Sequence, residues 1–181
     1  MKRLALYLLG GLLLGGIIHI AVVLLVPRFA TRDAYEALAR LGPDDVFHAV
    51  PAQGTDGPIA GLDPRMAYAA CRFSLAERPL HIRAPMTGDF WSAAVFDDRG
   101  NNLYSLNDRT AGRRDLDLDL VVATPLQLIR LRENPQPALD NAIVVELPMT
   151  AGFVLLRAFI SDPTLEAEVR KALSEADCTA G

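Results

Sequence analysis

The sequence is poor in the residues that carry most enzyme and metal chemistry. Its 181 residues include three histidines, two cysteines and one tryptophan. Cys71 and Cys178 lie far apart and no Cys-x-x-Cys occurs, so the usual short-spaced zinc and redox motifs are absent. There is no Gly-x-Ser-x-Gly elbow, no phosphate loop and no His-Glu-x-x-His. His19 falls in an apolar run, which leaves His48 or His81 for any histidine-based triad. His81 reads as a half-buried strand residue and His48 as an exposed linker residue. Positive charge is also scarce. Eighteen Lys and Arg face 22 Asp and Glu, for a net charge of −4. Setting aside Lys2 and Arg3 leaves −6 on the rest, a poor match for nucleic acid or anionic lipid.

What the chain does have is one long uncharged run. "LALYLLGGLLLGGIIHIAVVLLV" extends from Leu4 to Val26. As a helix it spans roughly 34 Å, enough to cross a bilayer core of about 30 Å. Lys2 and Arg3 precede it and Pro27 marks its end. No Ala-x-Ala site directly follows Val26, so the run reads as an uncleaved signal anchor rather than a signal peptide. The short basic N-terminus favours the cytoplasm, although Arg28, Arg32 and Arg40 oppose it. The expected placement is single-pass in a bacterial inner membrane, with the C-terminal domain in the periplasm. In such an oxidising compartment Cys71 and Cys178 can form one bridge; two independent thiols are the alternative.

Within the anchor, Gly11, Gly15 and His19 recur every four residues and share a helix face. Small residues at this spacing let helices approach closely, and a membrane histidine calls for a polar partner. The expected occupant is a membrane-embedded protein or a second copy of this chain, with the bilayer around them. Axial ligation of a tetrapyrrole by His19 is a remoter reading, and no cofactor or metal is expected.

"TRDAYEALARL" (31–41) predicts a short helix with Thr31 as cap and Ala34, Tyr35, Leu38 and Leu41 on one face, ended by Gly42-Pro43. It can continue from the membrane as a stalk. A Gly- and Pro-rich linker follows. Pro64 to Ala70 suggest one or two helical turns. Strands are expected at 71–75, 80–84, 90–96, 103–106 and 115–123, with "DDRGNN" as a turn that needs Gly100. Thr124-Pro125 opens a helix. "AIVVEL" and "FVLLRAFI" suggest a hairpin, and residues 161–176 a closing helix with Leu165, Val169, Ala172, Leu173 and Ala176 inward. Asp115, Asp117 and Asp119 read as a solvated strand face rather than a calcium site. The fold class is therefore α+β: one N-terminal transmembrane helix, then a small, mostly antiparallel β-sheet domain with short helices packed on it. The divisions are 1–27 for the anchor, 28–62 for the stalk and linker, and 63–181 for the periplasmic domain.

"GDFWSAAVFDDRGNNLYSLNDRT" resembles the family known as domain of unknown function 1254. The resemblance extends to "DPRMAYAACRFSL", "DLDLVVATPLQLIRLRENP", "GFVLLRAFISDP" and the cysteine near the C-terminus, covering roughly residues 63 to 178. This chain is similar to the short, single-span, membrane-anchored members, whereas larger relatives carry a second, jelly-roll-like domain. The resemblance implies a β-rich domain and a Cys71–Cys178 pair, and supplies no reaction.

The polar cluster Asn107-Asp108-Arg109-Thr110 ends a strand. Arg109 can clamp a carboxylate or phosphate, oriented by Asp108, with Trp91 and Tyr104 as an aromatic wall. Alternatively, Asn107 and Asp108 only cap a turn and Arg109 pairs with Asp108 or Asp97. Two functions stay open. One is a non-catalytic accessory, binding or scaffold subunit of the cell envelope. The other is a periplasmic enzyme or sensor for a carbohydrate or peptidoglycan fragment, with Asp108 and Asp97 as acid and base.

Overall fold

The computed structural model describes residues 2–52, 59, 61–111, 118–134 and 142–181, with side chains 3–26 and 34 onward within them. The predicted Asp115 and Asp117 lie outside these residues. Helix α1 (Lys2–Ala39) contains the apolar run and continues through Pro27. Pro27 does not end it, and Thr31 lies mid-helix rather than at a cap. A proline removes one donor, a loss that a long helix tolerates where other groups satisfy the freed carbonyl. The stretch Arg3–Val26 has a mean hydropathy of 2.5 and none of it is buried against the domain.

Nine strands follow among the described residues: β1 (His48–Val50), β2 (Met66–Ser74), β3 (Leu80–Ala84), β4 (Trp91–Asp97), β5 (Asn102–Asn107), β6 (Leu118–Ala123), β7 (Ile143–Glu146), β8 (Ala151–Phe159) and β9 (Asp177–Ala180). They form two sheets. One has the order β1-β2-β8-β4-β5, antiparallel throughout; the other has the order β7-β6-β3-β9, with β6 and β7 parallel. The inner faces share one core. Ala67, Ala69, Cys71 and Phe73 of β2 and Val154 and Leu156 of β8 meet Ile82 of β3 and Leu120 and Val122 of β6. Alternation does this, because every second residue of a strand points to the same face.

Two local expectations give way to this sheet. Met66 to Ala70 are strand, not helical turns. Their alanines suit a helix, but nine consecutive pairs with β8 outweigh local propensity. Asp63 only turns the chain into β2, accepting from the Arg65 N–H at 2.9 Å. Likewise β7 and β8 are not a hairpin. They belong to different sheets, and Leu147 to Thr150 carry the chain across, with the Leu147 N–H on the Ala123 carbonyl and the Leu75 N–H on the Thr150 carbonyl.

Helix α2 (Pro125–Glu133) starts as expected: Thr124 caps Gln127, whose side chain returns the bond to the Thr124 N–H. Gln127 also donates to the Leu75 carbonyl at 2.8 Å, tying the helix to the end of β2. Asp162 caps a 3₁₀ turn (Pro163–Leu165) before α3 (Glu166–Ser174), which buries Val169, Ala172 and Leu173. Leu165 stays exposed. Strand β9 then pairs with β3, and Cys178 is bridged to Cys71 across the core.

The outer face of the five-stranded sheet receives the end of α1. Leu38, with Ala34, Tyr35 and Leu41, packs on Val50, Tyr68, Ala70 and Phe153. The Arg72 guanidinium lies over the Tyr35 ring at 4.3 Å and faces Asp44 at 3.4 Å. The expected stalk is thus part of the domain. His48 is not an exposed linker residue either; it begins β1, half-buried, with Nε2 2.9 Å from the Pro43 carbonyl.

Candidate functional site

Asn107, Arg109 and Thr110 close a turn through hydrogen bonds to one another. Asn107 Oδ1 accepts from the N–H groups of Arg109 and Thr110, at 3.1 and 3.0 Å. Thr110 Oγ1 accepts from the Asn107 N–H at 2.8 Å. This is the side-chain mimicry by which Asn and Thr end strands. Arg109 projects exposed and makes no ion pair among the described residues. Asp108 is half-buried, and its Oδ1 is enclosed without a hydrogen-bond partner among the described residues.

The aromatic residues do not join this turn. Trp91 shares a face with Ala93 and Val95 and is 6% exposed within the core. Tyr104 packs half-buried against the same core. An inward-pointing pair offers no wall to a ligand held outside by Arg109. Nor do Asp97 and Asp108 face each other. The Asp108 N–H bonds to the Trp91 carbonyl at the start of β4, whereas Asp97 ends that strand. Six strand steps separate them by about 20 Å, beyond the roughly 5–9.5 Å over which two carboxylates flank a glycosidic bond.

Asp97 instead organises its own turn. Burial works against its charge, but the Asn101 side chain and the N–H groups of Asn101 and Arg99 outweigh it and hold the carboxyl below its ordinary range. An open cleft of about 480 Å³ beside it is lined by Asp97, Arg99, Thr124, Pro125, Met149 and Thr150. Of its polar groups, the Asp97 carboxylate and the Thr124 hydroxyl are already committed to the turn and the helix cap, whereas Asp98 also lines it.

The polar grouping that sequence reasoning missed lies on the outer face of the five-stranded sheet. Tyr68, Arg157, Ser92 and Asn107 stand in register across β2, β8, β4 and β5. Arg157 sits at the centre of the sheet, half-buried, between outward Leu155 and Phe159. Its Nε donates to Ser92 Oγ at 3.0 Å, and Ser92 is 4% exposed. No carboxylate among the described residues pairs with it. Tyr68 is buried at 6% and its hydroxyl accepts from the Asp63 N–H at 3.0 Å. The signal was present in "FVLLRAFI", where one arginine interrupts an apolar strand.

On the outer face of the four-stranded sheet, His81 Nε2 lies 2.6 Å from Asp119 Oδ1, and Arg83 Nε lies 3.8 Å from Oδ2. His81 is the half-buried strand residue expected, held by a carboxylate on the neighbouring strand. No group of three His, Cys, Asp or Glu among the described residues is placed to hold a metal.

A family model described as "Protein of unknown function (DUF1254)" matches residues 46–180. The chain belongs to the DUF1254 family. No curated protein matches the sequence. Among solved structures, the VPA0106 protein of Vibrio parahaemolyticus is 13% identical with a TM-score of 0.56, over 86% of this chain and 36% of that one. An uncharacterised protein of Burkholderia cenocepacia is 20% identical with a TM-score of 0.44, over 64% of this chain and 32% of that one. The first similarity shows the fold. The DUF1254 chain described here spans about a third of the length of these two.

The match begins at Val46, just ahead of β1, so the DUF1254 unit contains the first strand and not only residues from 63 onward. Ahead of it, α1 carries Gly11, Gly15 and His19 on one exposed face. A Cβ added at Gly11 or Gly15 would meet nothing within 4 Å.

Proposed function

We propose that this DUF1254 chain is an inner-membrane-anchored periplasmic protein that acts as a non-catalytic accessory, binding or scaffold subunit of the cell envelope. The observation that carries the reading is an apolar helix, covered by nothing in the domain, on a domain cross-linked by a buried disulfide. Apolar surface of that length needs lipid or a partner helix. A structural disulfide belongs in an oxidising compartment, which favours a domain outside the cytoplasm and a cytoplasmic N-terminus. The accessory role is supported by the commitment of Asn107 and Thr110 to closing their turn and by the separation of Asp97 from Asp108. The Gly11, Gly15 and His19 face is suited to a membrane-embedded partner or a second copy.

Protease added to intact spheroplasts tests the orientation. Loss of a C-terminal epitope before lysis is expected, and protection until lysis overturns the placement. Mild-detergent purification of wild type and Gly15→Leu tests the partner. A stoichiometric companion lost in the variant supports the subunit role, and a solitary wild-type protein argues against it.

A further inference from the structure

We infer that the outer face of the five-stranded sheet holds a binding site for a monoanionic carboxylate with an apolar body, centred on Arg157. The inference goes beyond the anchored-subunit reading and holds whichever side of the membrane the domain occupies.

Three observations carry it. Arg157 lies half-buried on the central strand with no carboxylate of the described residues beside it. Burial of an unpaired charge is costly, and proteins place such charges where a counter-ion binds. The group is also positioned. Ser92, 4% exposed, accepts from Nε and fixes the plane of the guanidinium. That leaves the two terminal nitrogens without a hydrogen-bond partner among the described residues. Two parallel N–H donors on one planar edge match the two oxygens of a carboxylate.

The surroundings select the rest of the ligand. Along β8 the same face carries Leu155 and Phe159, and across the sheet Val50 and Tyr68 stand in the row of Arg157. Val50 and Tyr68 are buried under the end of α1, so the half-buried Leu155 and Phe159 on either side of Arg157 are what offer an apolar surface to the ligand's body. The amide nitrogen of Asn107, whose oxygen is taken by the turn, is a further donor in the row. One positioned guanidinium in a chain of net charge −4, with the Arg65 that lies over Phe159 already paired to Asp63, suits a monoanion better than a phosphate dianion.

The test uses the full chain in nanodiscs and benzoate as probe, observed by saturation-transfer NMR, with inorganic phosphate followed by ³¹P line width. Saturable benzoate binding is expected in wild type, with no response to benzamide, which keeps the shape but lacks the charge. Arg157→Lys keeps the charge without the fork and is expected to bind about tenfold more weakly. Arg157→Met is expected to abolish binding, while Arg109→Met leaves it unchanged. Equal binding of benzoate and benzamide by wild type overturns the inference without recourse to any variant. So does benzoate binding unchanged in folded Arg157→Met, loss of binding in Arg109→Met alone, or a response to phosphate only.

Discussion

Replacing Cys71 and Cys178 together with alanine removes a cross-link whose value follows from the length of loop it closes. The two residues are 107 apart in sequence. In the chain-entropy model a loop of that length is worth about 5 kcal/mol, because the bridge confines the unfolded chain. Both residues are fully enclosed, at 0% and 1% exposed, so each lost sulfur also leaves a small void. The expected total loss is about 4–6 kcal/mol, against a whole-domain stability of about 5–15 kcal/mol. With a urea slope of about 2 kcal/mol/M, the unfolding midpoint should fall by about 2–3 M. Trp91 is the single tryptophan and lies in the shared core, so its fluorescence reports loss of the sandwich directly. The assay is urea unfolding of the full chain in micelles, wild type against the double variant. A second readout is amide exchange in β9, which would then be held chiefly by its four pairs with β3. A midpoint shift below about 0.5 M would refute the reasoning, since the bridge would then be constraining very little.

Gly152→Ala should destabilise the domain by about 1–3 kcal/mol or more, because the new Cβ would drive into the Phe96 carbonyl and Met149; the same urea titration reads it. Asp45 gives a prediction with the opposite sign. Its carboxyl is pushed up by burial, then by Asp44, with Arg78 opposing, and its backbone has φ of 61°. A raised pKa means that the charged form destabilises the fold above the folded pKa and that the penalty fades as pH falls through it. Asp45→Asn, which tolerates the same backbone conformation, should therefore raise the Tm at pH 7 and leave it unchanged near pH 3; a gain of equal size at both pH values would remove the charge from the explanation. Asn107→Ala should lose about 1 kcal/mol as the turn after β5 loses its side-chain acceptor, measured by thermal unfolding.

Much of the architecture could be read from alternation and capping. The apolar N-terminal helix, the inward face of Ala34, Tyr35, Leu38 and Leu41, the Trp91 and Asn102 strands with Gly100 between them, and the Thr124 cap are all local signals, and the structure bears them out. The Cys71–Cys178 pair is present as well. Non-local choices were harder. Nothing in "AIVVEL" and "FVLLRAFI" announces that the chain changes sheets between them, since each alternates as well in a hairpin as in two separate sheets. "MAYAA" has helix propensity, and only its partners β1 and β8 decide for strand. Strand β9 is four residues long and depends on β3 and the bridge. For the site, a run of adjacent polar residues at 107–110 drew attention that belonged to a turn. Arg157 is neighboured in sequence by leucine and alanine, and its partner Ser92 is 65 residues away. A row that forms only when four strands align leaves no local pattern to find.

The docking of Tyr35 and Leu38 onto the sheet sets how far the domain can stand from its anchor. Val26, the last residue of the apolar stretch, precedes Tyr35 by nine helical residues, a rise of about 13 Å. With that stretch in a bilayer, the helix is a short post rather than a tether. The sheet face bearing Arg157 then stays within a protein diameter of the headgroups, unable to sweep the compartment beyond. For a domain held in that way, whatever meets it must come to the membrane surface, where search is two-dimensional and height, more than affinity, selects among partners.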